Sequence, residues 1–245
     1  MLFDLHVHTT YSDGKWNIKE AVNKLKTLGA SIIAITDHFY SIKTFKPPKG
    51  YRFLDLKRLD EYVHECLSHN AIPGLELEYS DQLNSTAVEK EHVKNIPVRI
   101  GSIHFIMGVD IFSDAVLNLN HSKLIDMYIE HTINLIQDPK VNIIGHILSP
   151  PNKLIKPLNN ALTESLMKEI ALKIEHHNKI VEINGKHPSP IKLLKLLSER
   201  NISFSIASDS HSPEEANRIL QVKSIINHLK IESKIVDPNV FTSTF

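Results

Sequence analysis

Seven short apolar segments alternate with helix-patterned ones along this chain, and that rhythm restricts the fold more than any other feature. Ser31-Ile32-Ile33-Ala34-Ile35-Thr36 is a nearly continuous apolar run, as expected of a strand covered on both faces of a parallel sheet. The other expected strands span 2–7, 72–78, 98–103, 141–145, 179–184 and 202–207. Apolar residues recur at helical spacing over 17–28, 55–69, 122–138, 163–177, 189–199 and 214–230, and more weakly over 85–95. With no second composition class along the way, this alternation predicts one α/β domain over residues 1–245, a barrel of parallel strands. Segments 39–54 and 105–121 are insertions in it. The first carries Pro47-Pro48, Gly50, Lys43, Lys46, Lys49 and Arg52, the make-up of a binding segment or lid.

In parallel barrels the carboxyl-end loops share one rim, so side chains at the strand ends meet there. Six of the seven expected strands finish in or beside metal-type residues: His6 and His8, then His38, Glu76, His104, His146, and Asp209 with His211. Strand periodicity places His6 and His8 on one side, with Leu5 and Val7 on the other, and Ser12-Asp13-Gly14 follows as a turn. Imidazoles and carboxylates without a thiolate suit Zn²⁺, Mn²⁺ or Fe²⁺ at a hydrolytic site. The candidates exceed the needs of one ion. A shared carboxylate such as Glu76 could bridge two, with a hydroxide between them as nucleophile.

Composition narrows the rest. Lysine plus arginine equals aspartate plus glutamate at 28 each, so no global basic field argues for nucleic acid. Of the 15 histidines, His64, His69, His176, His177 and His228 sit in charged helical patterns and read as polar helix faces. The single cysteine, Cys66, excludes an internal disulfide and falls inside an expected helix as a small packed group. No apolar run reaches the length of a membrane span, and Met1 to Leu5 is too short a stretch for a secretion signal. The expectation is a cytoplasmic protein.

The ordered set Asp4-Leu5-His6-Val7-His8, Thr36-Asp37-His38, Gly74-Leu75-Glu76, Gly101-Ser102-Ile103-His104, Gly145-His146 and Ser208-Asp209-Ser210-His211 resembles the PHP (polymerase and histidinol phosphatase) family over nearly the whole chain. The resemblance implies a distorted (βα)7 TIM-like barrel holding two or three divalent ions (Zn, Mn or Fe) and hydrolysing phosphoesters. It implies His6, His8, Glu76 and Asp209 around one ion, Glu76, His104 and His146 around a second, and Asp13, His38 and His211 around a third. Glu76, Asp209 and His211 would be the catalytic set, and Glu78 is set aside in favour of Glu76, which follows Pro73-Gly74-Leu75. For the substrate phosphate the first choice is Lys186, then Arg52 and Lys153. Relatives acting on histidinol phosphate favour arginine in the later loops, where this chain has lysine.

The leading reading is a phosphatase for a small phosphomonoester, with L-histidinol phosphate the first named candidate. A nucleic-acid-directed phosphatase or exonuclease is the alternative, and the neutral charge and lack of a basic stripe weigh against it. A metal-dependent amidohydrolase would place a bridging lysine where this chain has His104. A catalytically silent metal-binding module would show gaps in the ligand set, and none is present.

Overall fold

The computed structural model describes residues 2–149, 151 and 154–242. In chain order the regular elements are β1 (Leu2–Asp4), α1 (Ile18–Thr27), β2 (Ala30–Ile35), β3 (His38–Phe39), α2 (Leu59–Ser68), β4 (Ile72–Ser80) and β5 (Ser85–Thr86). Next come α3 (Lys90–Val93), β6 (Val98–Ser102), β7 (Phe105–Ile106), β8 (Val109–Asp110), α4 (His121–Gln137) and β9 (Ile143–Ile144). The chain continues with α5 (Ile155–Ala161), α6 (Glu164–His176), β10 (Ile180–Asn184), α7 (Ile191–Ser198), β11 (Phe204–Ala207) and α8 (Arg218–Leu229).

Strands β1, β2, β4, β6, β9, β10 and β11 lie side by side in that order, each parallel to the next. The sheet curls until its ends meet. The Leu5 N–H donates to the Ile206 carbonyl and the Asp209 N–H to the His6 carbonyl, both at 2.9 Å, and Val7 bridges Ser210. The result is the expected TIM-like barrel, nearly closed. Strand residues such as Ile33, Leu75, Ile100, Val181 and Phe204 are buried together with Val22, Tyr62, Cys66, Leu135, Ile170 and Leu194 from the surrounding helices. Among the described residues no helix is long and apolar enough to cross a membrane.

Local chemistry sets the element ends. The Asn17 side chain accepts the Glu20 N–H while the Glu20 carboxylate accepts the Asn17 N–H, a capping box that starts α1. Gly29, with φ +92°, then ends the helix in the left-handed region that glycine enters freely. Gly145 serves close packing instead: a Cβ there would sit 2.3 Å from Ser102 Oγ. Only glycine lets β9 lie that close to β6 just before His146.

The structure departs from the sequence expectation in four places. Segment 85–95 is not one helix: β5 pairs antiparallel with β4, and only α3 is helical. Asp138, after α4, accepts both the N–H and the hydroxyl of Thr86 at 2.8 Å, and this long-range partner outweighs a weak local helical pattern. Strand β4 runs on to Ser80, so Glu76 lies within a strand rather than at its end. Insertion 105–121 contains a β7–β8 hairpin, turned by Met107 (φ +53°) and Gly108 (φ +72°), the positive-φ pair of a tight hairpin turn. Helix α5 was not anticipated.

Candidate metal centre

Glu76 is buried at the centre of the barrel mouth. Its Oε2 lies 3.3 Å from His6 Nε2, 3.3 Å from His8 Nε2 and 2.9 Å from His38 Nδ1. Its Oε1 faces the other way, 3.3 Å from His146 Nε2 and 3.5 Å from His104 Nε2. One carboxylate thus joins two groups of imidazoles. Asp209 Oδ1 stands 3.6 Å from both His8 Nε2 and His211 Nδ1. Asp13 Oδ2 stands 3.3 Å from His211 Nε2 and 3.6 Å from His38 Nε2.

The fold therefore brings together all nine residues expected as ligands, from the segment after β1 to the loop after β11. Four overlapping groups have donor atoms within 4.8 Å of one another: His6, His8 and Asp209; Glu76, His104 and His146; His8, Asp13, His38 and His211; and His38, Glu78 and His104. Three points differ from the expected grouping. Glu76 falls outside the donor group of His6, His8 and Asp209, although its Oε2 lies 3.3 Å from both histidines. His8 reaches the Asp13 cluster as well as His6, and Glu78 joins His104, with Oε2 2.8 Å from His104 Nδ1 and Oε1 accepting the His104 N–H. Side chains two apart on β4 share a face, so Glu76 and Glu78 both point into the mouth.

The donor set fits divalent cations. Metal–nitrogen bonds of about 2.0–2.1 Å place neighbouring donors roughly 3.4 Å apart around a tetrahedral ion, close to the carboxylate–imidazole separations just given. Glu182 Oε2 holds His6 Nδ1 at 2.6 Å, leaving His6 Nε2 only 3.0 Å from His8 Nε2. His8 Nδ1 is buried without a hydrogen-bond partner. Charge points the same way. Burial opposes protonation of His6, but Glu182, Glu76 and Asp209 outweigh it and raise its pKa well above the usual value. Burial also opposes charge on Glu76, but His6, His38 and His104 outweigh it and hold the carboxyl far below its usual range. At His8, burial followed by His211 and His38 drives the pKa well down. A field that draws protons onto His6 draws metal ions too.

The sequence model of the PHP domain family matches residues 4–186. The chain belongs to the PHP family. Two Clostridium botulinum proteins named as probable phosphatases, from strains Hall and Okra, are 21% identical to it over 240 residues, covering 97% of this chain and 90% of theirs. Among solved structures it resembles a histidinol phosphate phosphatase from Lactococcus lactis, determined with zinc, L-histidinol and phosphate. That likeness has TM-score 0.71 and 19% identity and covers 93% of each chain. A Listeria monocytogenes structure assigned as a histidinol phosphatase matches with TM-score 0.69 and 19% identity, over 86% of this chain and 96% of that one.

In this PHP chain two further buried carboxylates, Asp37 and Glu182, organise the mouth. Asp37 accepts the N–H groups of Thr9 (2.8 Å) and Ser12 (3.0 Å) and both of their hydroxyls, which holds the turn carrying Asp13 beside His8. Glu182 holds His6 through Oε2, while its Oε1 accepts the His146 N–H at 3.0 Å and Asn184 Nδ2 at 2.6 Å. Asn184 in turn donates to Asp209 at 3.1 Å. The sixth barrel strand has no candidate ligand at its end, and Glu182 is what it contributes. A lone acid within the buried strand Ile180–Asn184 was the available signal. Partners of this kind typically govern about 10–100-fold in metal affinity. Glu182→Gln is expected to weaken metal binding by that factor, measured by competition with a chromophoric chelator; unchanged affinity would reduce Glu182 to a packing group.

Asp4 answers to pH. Its Oδ1 accepts the N–H groups of His6 and Ser208, its Oδ2 is buried without a partner, and burial pushes its pKa up to about 6. The folded state then binds this proton more tightly than the unfolded chain. Its contribution is full below about pH 4, falls as pH rises through about 6, and is level above, a span of up to about 3 kcal/mol. Asp4→Asn cannot ionise, so it should gain on the parent by that amount between pH 4 and 7 in urea midpoints; parallel curves would refute the assignment.

The expected phosphate contacts fare unevenly. Lys186 reaches the mouth, its ammonium 3.4 Å from Asp209 Oδ1 and from both His211 ring nitrogens. Arg52 does not: the insertion places Tyr51 and Phe53 in the lining of the mouth and leaves the residue between them exposed. Lys153 lies outside the described residues. Tyr51 also hydrogen-bonds Asp110 and packs edge-on against Phe105 at 4.8 Å, which ties the first insertion to the β7–β8 hairpin over the site.

Proposed function

We propose that this chain is a divalent-metal-dependent phosphomonoesterase for small esters. The observation that carries the reading is Glu76, whose two oxygens face separate groups of imidazoles. His6, His8 and Asp209 would hold one ion, Glu76, His104 and His146 a second, and Asp13, His38 and His211 a third. Bound there, divalent ions supply a water acidic enough to ionise near neutral pH and positive charge against the phosphoryl oxygens. The protein's own groups do the rest. Lys186 donates to a phosphoryl oxygen as a point charge, Glu76 and Asp209 set the spacing of the two faces, and His211 lies between Asp209 and Asp13.

Tyr51, Phe53, Phe105 and Phe112 form the wall of a cavity of about 240 Å³ over these residues. An apolar wall keeps bulk water from the phosphoryl group and strengthens every electrostatic contact inside. That volume suits a phosphoryl group with a short alcohol better than a polymer strand. L-Histidinol phosphate has the support of two structural neighbours named for that activity, each at 19% identity.

The test is a panel of phosphomonoesters and short oligonucleotides with protein reconstituted in Mn²⁺, Zn²⁺ or Fe²⁺, alongside His104→Ala. The parent is expected to cleave small monoesters and the variant to lose that activity. An equally active variant would sink the assigned centre. Faster turnover of oligonucleotides would favour the nucleic-acid reading, and no turnover with metal bound would favour the silent module.

A further inference from the structure

A second cavity, of about 770 Å³, adjoins the first and shares Phe112, Lys186 and His187 with it. We infer that this cavity binds a second oxyanion, a phosphate or carboxylate, carried on the alcohol half of the substrate. The inference rests on the phosphomonoesterase reading and narrows its substrate class.

Three observations converge on an anion. Ser189 lines the cavity, is 4% exposed, and its buried Oγ has no hydrogen-bond partner. A buried hydroxyl left unpaired costs about 1–3 kcal/mol, a cost that a ligand acceptor would remove. Lys192 lines the same cavity, and its ammonium donates to the carbonyls of Asn159 and Leu162. Two carbonyls fix the group in place and leave its third N–H for a ligand. Among the described residues Lys192 has no carboxylate partner. The start of α7 also lines the cavity, at its N-cap Pro190 and at Ile191 and Lys192 in its first turn, and the helix has no side-chain cap, so its positive end is left to an external acceptor.

The lining also excludes. Among its described residues are two lysines and no aspartate or glutamate. An ammonium on the substrate's alcohol, as in L-histidinol, would meet like charge there and no counter-ion, so this cavity weighs against the histidinol phosphate candidate. Ile155 and Ile191, 42% and 46% exposed, offer an apolar rim for a short carbon skeleton. With Lys186 at the shared wall, a molecule with one phosphoryl group in the metal mouth and a second anion near Ser189 and Lys192 would fill both cavities.

The test compares kcat/KM of the metal-loaded enzyme for five esters: glycerol 1-phosphate, 3-phosphoglycerate, glycerol 1,3-bisphosphate, O-phosphoethanolamine and L-histidinol phosphate. The two with a second anion are expected to exceed glycerol 1-phosphate by about tenfold or more, chiefly through KM, and the two ammonium esters to fall below it. Lys192→Gln keeps a donor for the carbonyls and removes the charge; Ser189→Ala removes only the hydroxyl. Each should bring the ratio of bisphosphate to glycerol phosphate down to within about threefold. Calorimetry with inorganic phosphate should count two sites per chain in the parent and one in Lys192→Gln. A parental ratio near one, a ratio that survives both variants, a preference for the ammonium esters, or a single phosphate site in the parent would overturn the inference. If glycerol 1-phosphate is cleaved with no such preference, the subsite alone fails; if none of the five is cleaved, the phosphomonoesterase reading fails and takes the subsite with it.

Discussion

Glu76→Gln is expected to lower phosphomonoester kcat/KM by about a thousandfold or more with the fold intact, the cost of roughly 4 kcal/mol in charge stabilisation. The change preserves shape and turns one carboxylate oxygen into an amide NH2. Oε2 faces His6, His8 and His38, and Oε1 faces His104 and His146. Whichever oxygen is replaced, at least two imidazoles lose an acceptor or a co-ligand, and the mouth loses a full negative charge. Elemental analysis at equal free metal should find at least one ion fewer per chain than in the parent. Asp13→Asn is the graded comparison: the Asp13 side chain is 34% exposed against 2% for Glu76, so solvent screens the lost charge and the loss should be smaller. A Glu76 variant with parental kcat/KM would remove this residue from the centre.

The ring of candidate ligands could be read from sequence because barrel topology converts chain order into a circle. Each strand end lands on the same rim, so His6, His38, His104, His146 and Asp209 needed no knowledge of long-range contacts to be grouped. The pairings that support them could not be read this way. Glu182 matters through His6, 176 residues away, and nothing local to β10 names that partner. Thr86 is drawn out of a helical pattern by Asp138, 52 residues on. Arg52 had the right charge in the right insertion, yet the orientation of one residue in a loop depends on what its neighbours pack against, here Tyr51 on Phe105 and Phe53 beside His38. Backbone strain was equally hidden. His146 (φ +22°) and Asp209 (φ +53°) lie in the left-handed region, a conformation that costs non-glycine residues energy and is held only where surrounding contacts enforce it.

Withdrawing divalent ions with a chelator is expected to lower the melting temperature by about 10 °C, and the gap between loaded and stripped protein should widen from pH 6 to pH 8. An ion held at about a thousand times its Kd contributes about 4 kcal/mol, and each kcal/mol moves the midpoint of a chain this size by about 2–4 °C. The pH dependence follows from the protons that would replace the ions. Burial opposes charge on His6, His38 and His104, but facing carboxylates outweigh it, Glu182 and Glu76 at His6, Glu76 and Asp13 at His38, Glu78 and Glu76 at His104, so all three pKa values are raised. A raised folded pKa contributes stability that is full below the unfolded value of about 6.5 and is lost as pH climbs through the folded value. His8, driven down by burial and by His211 and His38, works the other way only up to about the unfolded value of 6.5, so stripped protein weakens above it. Metal binding displaces the same protons, so its contribution grows as pH rises. Thermal melts of both forms at pH 6, 7 and 8 decide the matter: a gap of the same width at every pH would mean that cations and protons do not compete for these imidazoles, and the shared mouth around Glu76 would no longer be the place where ions bind.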